Sequence, residues 1–514
     1  MTMGITMGDT MGKLQLPELG VKSLVVLAAA VIALRSIYLL FLHPLSKYPG
    51  PKLWAISRLP WAYHVIKGDV WHAQDKFHDQ YGPVVRIGPD ELTYLAPEAW
   101  KDIYTTKPQL VKDPYSLTPP LNGADSLFTA MGDDHRRIRG AFVNAFSDKA
   151  LREQSATIES YAAQFTQRLQ SELSTSSSGI IDIQPIIGYA TFDIISDLTW
   201  GESPHALQTP GAHDWITRFF LHAQFSTVRN CLSRFSPLDK LLHYVFLRVT
   251  SKQRVANTKL SYERIDRRLA AGVDARSDFM TPLIGKISED AAVSRKGITK
   301  SEVLTNGVAV VIANSQLSTI AITTAVYLLL SHPVRLRRLV DEVRGRFQCE
   351  EDIKVAEVQG LRYLNAVIDE TLRLHHPTPG NLPRVVPKEG MVVAGRWVPG
   401  GTVVGVSLYN VHTRCENFAR PMEFHPERFL ERGDERFDEA FGEDRREAFQ
   451  PFSTGPRNCI GAKVFLAEAR VLLARLLWKF DLELAEDGAG WLNQKAWLVY
   501  EPRGLKVRMT ARGE

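Results

Sequence analysis

Apolar and polar positions follow two periods along this chain, and the helical one dominates. Residues 149–173, 186–198, 251–271 and 301–331 carry apolar positions at helical spacing with no internal proline, so each predicts a helix. Strand-like runs are short and lie toward the two ends: VVRIGPDELTYL (84–95), GMVVAGRWVPGGTVVGV (390–406) and GLKVRMT (504–510). The pattern predicts a mainly α protein with small β-sheets. One segment has no polar face. LVVLAAAVIALRSIYLLFL, residues 24–42, holds one charge, Arg35, and approaches the ~20 apolar residues that cross a bilayer. No small-residue cleavage site follows it; the chain runs on into HPLSKYPGPK, so the segment reads as a retained anchor. Arg35 costs about 2.5–3.5 kcal/mol at mid-membrane unless its head snorkels to the interface. The chain thus divides into an N-terminal tail (1–23), a transmembrane anchor (24–42), a proline-rich hinge (43–52) and one large body (53–514), with no repeat or low-complexity tract. Lys47, Lys52 and Arg58 after the span, against Lys13 and Lys22 before it, favour a cytosolic body.

The helix predicted from 301 begins with an S/T-x-x-E capping box, Thr299 and Glu302, and stops before Pro333. It is apolar on nearly every face, as a central buried helix should be. Asn314, Ser315, Gln316 and Ser318 interrupt it. Buried polar groups need partners, and the bland expectation is that these satisfy one another or the backbone.

Composition sets limits. With 514 residues, 45% of them hydrophobic and 23% charged, the chain is a globular protein with a large core, and disorder or collagen is excluded. Lys plus Arg (62) against Asp plus Glu (57) leaves +5, too small an excess for nucleic acid to be the main partner. Cys231, Cys349, Cys415 and Cys459 have no CxxC spacing, so neither a disulfide framework nor a zinc site is legible, and a reducing compartment is the simpler assumption.

The stretch with most chemistry is PFSTGPRNCIGAK (451–463). Here a lone cysteine is framed by Phe452, Gly455, Arg457 and Gly461 and followed by a helix-like run. Backbone N–H groups at a helix start favour thiolate over thiol, the form that binds a metal. Glycines let backbone approach closely, and Arg457 suits a carboxylate. FxxGxRxCxG resembles the haem-binding loop of the cytochrome P-450 superfamily. The resemblance extends over nearly the whole chain, and the YPGPK and AFSDKAL wording is similar to fungal microsomal members of secondary metabolism.

The resemblance implies a haem-thiolate fold with an N-terminal transmembrane helix, haem b as cofactor and Cys459 as its axial ligand. LRYLNAVIDETLRLHHP and the later HPERF match the family's Glu-Arg-Arg triad with Glu370, Arg373 and Arg428, read as structural. GDDHRRIRGAFVNAFSDKAL (132–151) resembles the helix crossing the haem edge, where His135 and Arg139, four apart, share a face and can reach propionates. Arg136 and Arg137 by themselves read as solvated charges. In the family's oxygen helix an acid and a threonine guide protons; here Gln316 and Leu317 stand in those places, so Ser318, water held by Gln316 or Asn314, or a hydroxyl of the substrate is expected to take over. Ala313 and Leu317 then face substrate. Further walls are 115–129, 215–242, 378–384 and 496–500.

The implied activity is a monooxygenase that hydroxylates, or oxidises in several steps, a hydrophobic small molecule in fungal secondary-metabolite biosynthesis. The alternative is phenol coupling, desaturation or rearrangement without oxygen insertion, motivated by Leu317; a non-enzymatic haem binder or sensor is the lesser alternative. The chain carries no nicotinamide or flavin fingerprint, so electrons come from a separate reductase, which the resemblance makes the NADPH-dependent diflavin one. Arg136, Arg137, Lys149, Arg152 and Lys463 are its expected docking face. Partners are then reductase, molecular oxygen, substrate and membrane, without nucleic acid. The expected location is the endoplasmic reticulum membrane, single-pass, with the catalytic domain facing the cytosol.

Overall fold

The computed structural model describes residues 21–117, 122–209 and 213–513. The predicted tail therefore lies almost wholly outside the described residues, the wall segment 115–129 lies partly outside them, and of the wall segment 215–242 several side chains do. Helix α1, Val21–Ile37, continues through a π-helical turn, Tyr38–Leu42. Leu24, Val25, Val26, Val31, Ile32 and Leu34 are all more than half exposed, so no protein surface covers the helix, and Lys22–Leu42 is long and apolar enough to span a bilayer. Its end is pinned. The buried Arg86 guanidinium donates to the Leu39 carbonyl at 2.8 Å and to those of Gly88 and Pro89 at 3.2 and 2.6 Å. Leu45 and Tyr48 are buried, and Tyr48 Oη donates to the Trp397 carbonyl at 2.7 Å, so the 43–52 segment is packed against the body.

The body is mainly helical. Strands β1 (Val84–Gly88) and β2 (Glu91–Tyr94) precede α2 (Glu98–Tyr104) and β3 (Val111–Lys112). Then come α3 (Gly132–Phe142), α4 (Asp148–Thr175), β4 (Ile180–Asp182), α5 (Ile183–Trp200), α6 (His213–Leu232), α7 (Leu238–Ala270), α8 (Lys300–Leu330) and α9 (Arg362–Leu374). Short strands β5 (Arg384–Val385), β6 (Met391–Val393), β7 (Arg396–Val398) and β8 (Val403–Val406) follow, then α10 (Ala462–Lys479), β9 (Phe480–Leu484), β10 (Ala496–Trp497), β11 (Val499–Tyr500) and β12 (Lys506–Ala511). The larger sheet runs β1-β2-β8-β5-β3, with β2 and β8 parallel in the register Glu91↔Val403 to Tyr94↔Val406 and the rest antiparallel. Strand β12 lies between β4 and β9.

The four predicted helices are present, and side-chain caps mark the starts of α4 and α8. Ser147 Oγ accepts from the Ala150 N–H at 3.2 Å at the head of α4. At α8 both halves of the capping box form, Glu302 N to Thr299 Oγ1 at 3.2 Å and Thr299 N to Glu302 Oε2 at 2.8 Å. Helix α7 begins at Leu238, well before 251, and in that first half Leu238, Leu241, Tyr244 and Val245 are exposed. Helix α8 runs through the main core, packed on α5, α9 and α10, which places the middle of a buried helix beside the start of the helix that follows Cys459.

Candidate active site

The cysteine loop closes on itself. The Cys459 N–H donates to the Phe452 carbonyl at 2.8 Å, and Gly461 is the N-cap of α10. Gly455 sits at φ +76°, and a Cβ there would lie 2.1 Å from the Tyr104 carbonyl oxygen, so only glycine fits. Its close approach is thus to the end of α2 rather than to the sulfur. At Gly461, by contrast, a Cβ would project into open space. The Cys459 side chain is exposed to solvent, yet protein atoms crowd around it closely enough to desolvate the thiol. Burial raises its pKa; the N–H groups of Gly461 and Ala462 and the Arg139 charge pull the other way with less effect. The loop alone does not make a thiolate; a bound metal ion's charge would complete the task.

Beside the loop, cations gather without a countercharge among the described residues. Arg457 Nη2 donates to the Ala130 carbonyl at 2.6 Å, but its Nε and Nη1 are buried without a partner, as is Nδ1 of the buried His135. Lys112 Nζ donates to the Phe128 carbonyl at 2.8 Å, and Arg384 donates to the Pro383 carbonyl at 2.9 Å and lies over the Tyr104 ring. Burial comes first and mutual repulsion second in lowering these groups: Arg457 to about 10 (Arg384 and Arg139), Lys112 to about 7 (Arg384 and Arg457). His135 is pushed to about 3 by burial and then Arg457, so it is a neutral donor. Unpaired buried donors facing one another require an anion. Two carboxylates joined to one planar group, as in haem, fit this cradle. Arg139 is already engaged, gripping the Asn458 carbonyl and Oδ1 at 2.9 and 2.6 Å and so bracing the residue before Cys459. Lys112 and Arg384 had no sequence motif to mark them. The sheet brings them together through the β3–β5 register Lys112↔Arg384. The 378–384 stretch is accordingly not all substrate wall: Arg384 belongs to the cation cluster and Leu382 packs beneath the sheet.

On α8, past its exposed first residues Lys300 and Ser301, the partly exposed positions among buried neighbours are Leu304, Val308, Ala309, Ile312, Ala313, Asn314 and Leu317, the last five forming an accessible stripe in mid-helix. Leu317, with Ala223 and Val228, packs on the cluster Trp71, Ile320, Tyr409, Ala496, Trp497, Val499 and Tyr500. Two expected wall segments, 215–242 and 496–500, therefore meet at Leu317. Of the interrupting polar residues only Ser315 satisfies itself locally, donating to the Val311 carbonyl at 2.8 Å. Gln316 is buried with Nε2 unpartnered. Asn314 and Ser318 both reach Glu468 on α10, a residue that sequence reasoning missed. The available signal was an acid in the apolar stripe of α10, between Val464 and Leu472.

A family model described as Cytochrome P450 matches residues 48–509. The chain belongs to the cytochrome P450 family. It is similar to averantin hydroxylase of Dothistroma septosporum, 39% identical over 92% of this chain and 88% of the relative. Cytochrome P450 monooxygenase stcF of Emericella nidulans is 38% identical over 91% and 95%. Versicolorin B desaturase of Dothistroma septosporum is 35% identical over 92% and 90%. This P450 is a haem-thiolate monooxygenase that works on a small molecule with oxygen and a redox partner, and its N-terminal apolar helix suits a membrane anchor.

The P450 core is tied by Glu370, fully buried on α9. It accepts from Arg373 Nε and Nη2 at 2.6 and 2.8 Å, from Arg428 Nε at 3.1–3.2 Å and from the His425 N–H at 2.8 Å. Arg428 also pairs with the buried Asp444 and stacks over Phe441. Among the expected docking cations, Arg137 is corrected. Its guanidinium is buried and donates to Glu302 at 2.6 and 2.8 Å, tying α3 to the capping box of α8, because the box's carboxylate lies within its reach. Arg136, Lys149 and Lys463 are exposed, the last paired with Asp148 at 2.7 Å.

Proposed function

We propose that this P450 hydroxylates, or oxidises in successive steps, a hydrophobic secondary metabolite of a fungal pathway. Its electrons come from an NADPH-dependent diflavin reductase, at the endoplasmic reticulum membrane with the catalytic domain in the cytosol. Haem bound through a cysteine thiolate supplies oxygen activation, the thiolate donating electron density that favours O–O cleavage. Cys459 would hold the haem iron through its thiolate, with Phe452, Gly455 and Gly461 shaping its loop; Arg457 and His135, with Lys112 and Arg384, would hold the haem carboxylates, and Arg139 braces Asn458. Ala313 and Leu317 orient substrate, while Gln316 and Ser318 hold polar hydrogens on the same helix. Arg136, Lys149, Arg152 and Lys463 are the docking cations for the reductase.

The observation carrying the substrate class is the accessible stripe of α8, apolar at Ala309, Ile312, Ala313 and Leu317 and walled at Leu317 by apolar and aromatic side chains. The test is reconstitution with the reductase and NADPH under isotopically labelled oxygen, with averantin, versicolorin B and a library of hydrophobic metabolites. A product carrying one labelled oxygen supports the reading. A product lighter by two hydrogens with no label supports desaturation, which Leu317 in the threonine's place and the similarity to versicolorin B desaturase favour as the second reading.

A further inference from the structure

Just before α3 the chain makes one tight turn, from Ser126 to Ala130, that holds its own shape. Ser126 Oγ accepts from the N–H groups of Phe128 and Thr129, each at 3.2 Å, and the Ser126 carbonyl accepts from the Ala130 N–H at 2.8 Å. Thr129 Oγ1 accepts from the Ser126 N–H and donates to Asp125 Oδ1, both at 2.9 Å. Serine and threonine hydroxyls can hold a turn in this way without help from a neighbouring strand. They fix its shape but not its place.

Its place matters because of what its carbonyls do. The Phe128 carbonyl accepts from Lys112 Nζ at 2.8 Å, with the ammonium 5.8 Å from the centre of the Phe128 ring. The Ala130 carbonyl accepts from Arg457 Nη2 at 2.6 Å, and the same nitrogen lies 3.5 Å from Met131 Sδ. Two members of the cation cluster are therefore directed by one turn. An ammonium has three donors and a guanidinium five, so each cation spends a donor on the turn and keeps others for a carboxylate.

The turn is held by Asn306, fully buried near the start of α8. Its Oδ1 accepts from the Leu127 N–H at 2.8 Å, and its Nδ2 donates to the Asp125 carbonyl at 3.3 Å. A further bond from Nδ2 to the Glu302 carbonyl, at 2.8 Å, fixes the amide on its own helix. Attachment of the segment to the core does not need this amide. Leu127 packs on the main core, and Asn122 is tied to the Ser301 carbonyl at 2.9 Å and to Thr305 Oγ1 at 2.6 Å. A leucine at 306 would fill a similar volume. What the asparagine adds is direction, because apolar burial is non-directional whereas hydrogen bonds specify where backbone groups lie.

We propose that Asn306 is a positioning residue for the haem carboxylates, holding the Ser126–Ala130 turn so that its carbonyls set the direction of Lys112 and Arg457. The proposal rests on the reading above that these cations hold the carboxylates. Asn306 acts through the turn. It also lies one helical turn before Ala309, where the accessible stripe begins, so the same tie fixes the substrate wall and the seat of the carboxylates relative to each other.

The test uses full-length holoenzyme and two readouts other than turnover. One is the rate at which haem passes to excess apomyoglobin; the other is the resonance Raman bands of the haem carboxylate side chains, which move when their hydrogen bonds change. Asn306→Leu keeps the bulk and removes both bonds to the turn. We expect haem release to quicken about fivefold or more, the factor that one ordinary hydrogen bond carries, and the carboxylate bands to shift. Thr305→Val cuts the tie to Asn122, outside the turn, and should leave the bands in place and release near the wild-type rate. Lys112→Met tests the cradle itself, and in that background Asn306→Leu should add less than it does alone, because residues acting through one another are not additive. If Asn306→Leu retains too little haem to measure, Ser126→Ala, which loosens the turn from within and leaves α8 unchanged, decides by the same two readouts. Unchanged release, or faster release with unmoved bands, while Lys112→Met moves both, makes Asn306 a structural tie and overturns the proposal. If Lys112→Met itself leaves both at wild-type values, the carboxylates lie elsewhere and the reading of the cradle falls first, taking the proposal with it.

Discussion

Removing the Glu370 carboxylate is the severest single change the core offers. Glu370→Ala deletes the acceptor for two Arg373 nitrogens, Arg428 Nε and the His425 N–H, all inside the core. The two arginines do not suffer equally. Arg428 keeps its partner Asp444 and the carbonyls of Ala419 and Arg420. Arg373 keeps only neutral carbonyls, those of His412, Pro421 and Glu423. One guanidinium is therefore left as an uncompensated buried charge, and breaking a buried pair in that way costs about 3–5 kcal/mol. A typical domain has about 5–15 kcal/mol to lose, so the variant should be marginal at 37 °C. Glu370→Gln keeps one acceptor oxygen and should lose less. The assay is the carbon monoxide difference spectrum for haem content together with urea unfolding of the membrane-extracted protein. The alanine variant should fold to a haem-poor, aggregating product, with the glutamine variant between it and the wild type. Wild-type haem content and an unchanged unfolding midpoint in Glu370→Ala would refute the reasoning.

Further outcomes follow from the same geometry. Cys459→Ala should abolish the red-shifted carbon monoxide band, since none of the other three cysteines has this loop; a surviving band would mean another ligand. Deleting residues 1–43 should move the protein from the membrane pellet toward the soluble fraction with haem retained. The exposed Leu53, Leu59, Tyr63 and Ile66 give some residual attachment, and unchanged carbonate-resistant integration would place the anchor elsewhere. Burial lowers the pKa of His78 and His376 to about 4, of His375 to about 3, and of His412 well below its usual value. These histidines fold neutral, so the unfolded chain takes up their protons first and stability falls as pH drops below about 6.5, by up to ~1.4 kcal/mol per pH unit for each. A urea midpoint that stays flat between about pH 6 and 4 would contradict their burial.

The sequence by itself determined the features that depend on near neighbours in the chain. Helical periodicity located α4, α5 and α8 to within a few residues, and the S/T-x-x-E pattern marked the start of α8, because helix packing and caps repeat at short spacing. The cysteine loop was legible for the same reason: its glycines, arginine and thiol lie within ten positions. The Glu370–Arg373 pair was legible as one turn of helix, and Arg428 through its own motif. Only the tertiary structure decided which distant side chains share a space. Lys112 and Arg384 become neighbours through strand pairing across 272 residues, and their unpaired charge has no trace in local pattern. Arg137 looks solvated until α3 is laid against the head of α8. Glu468 reads as one acid in an apolar helix, and its meaning depends on the crossing of α8 and α10 that brings Asn314 and Ser318 within 2.9 Å. Local pattern records what a segment prefers; the charge, burial and partners of a side chain are set by whatever long-range packing places beside it.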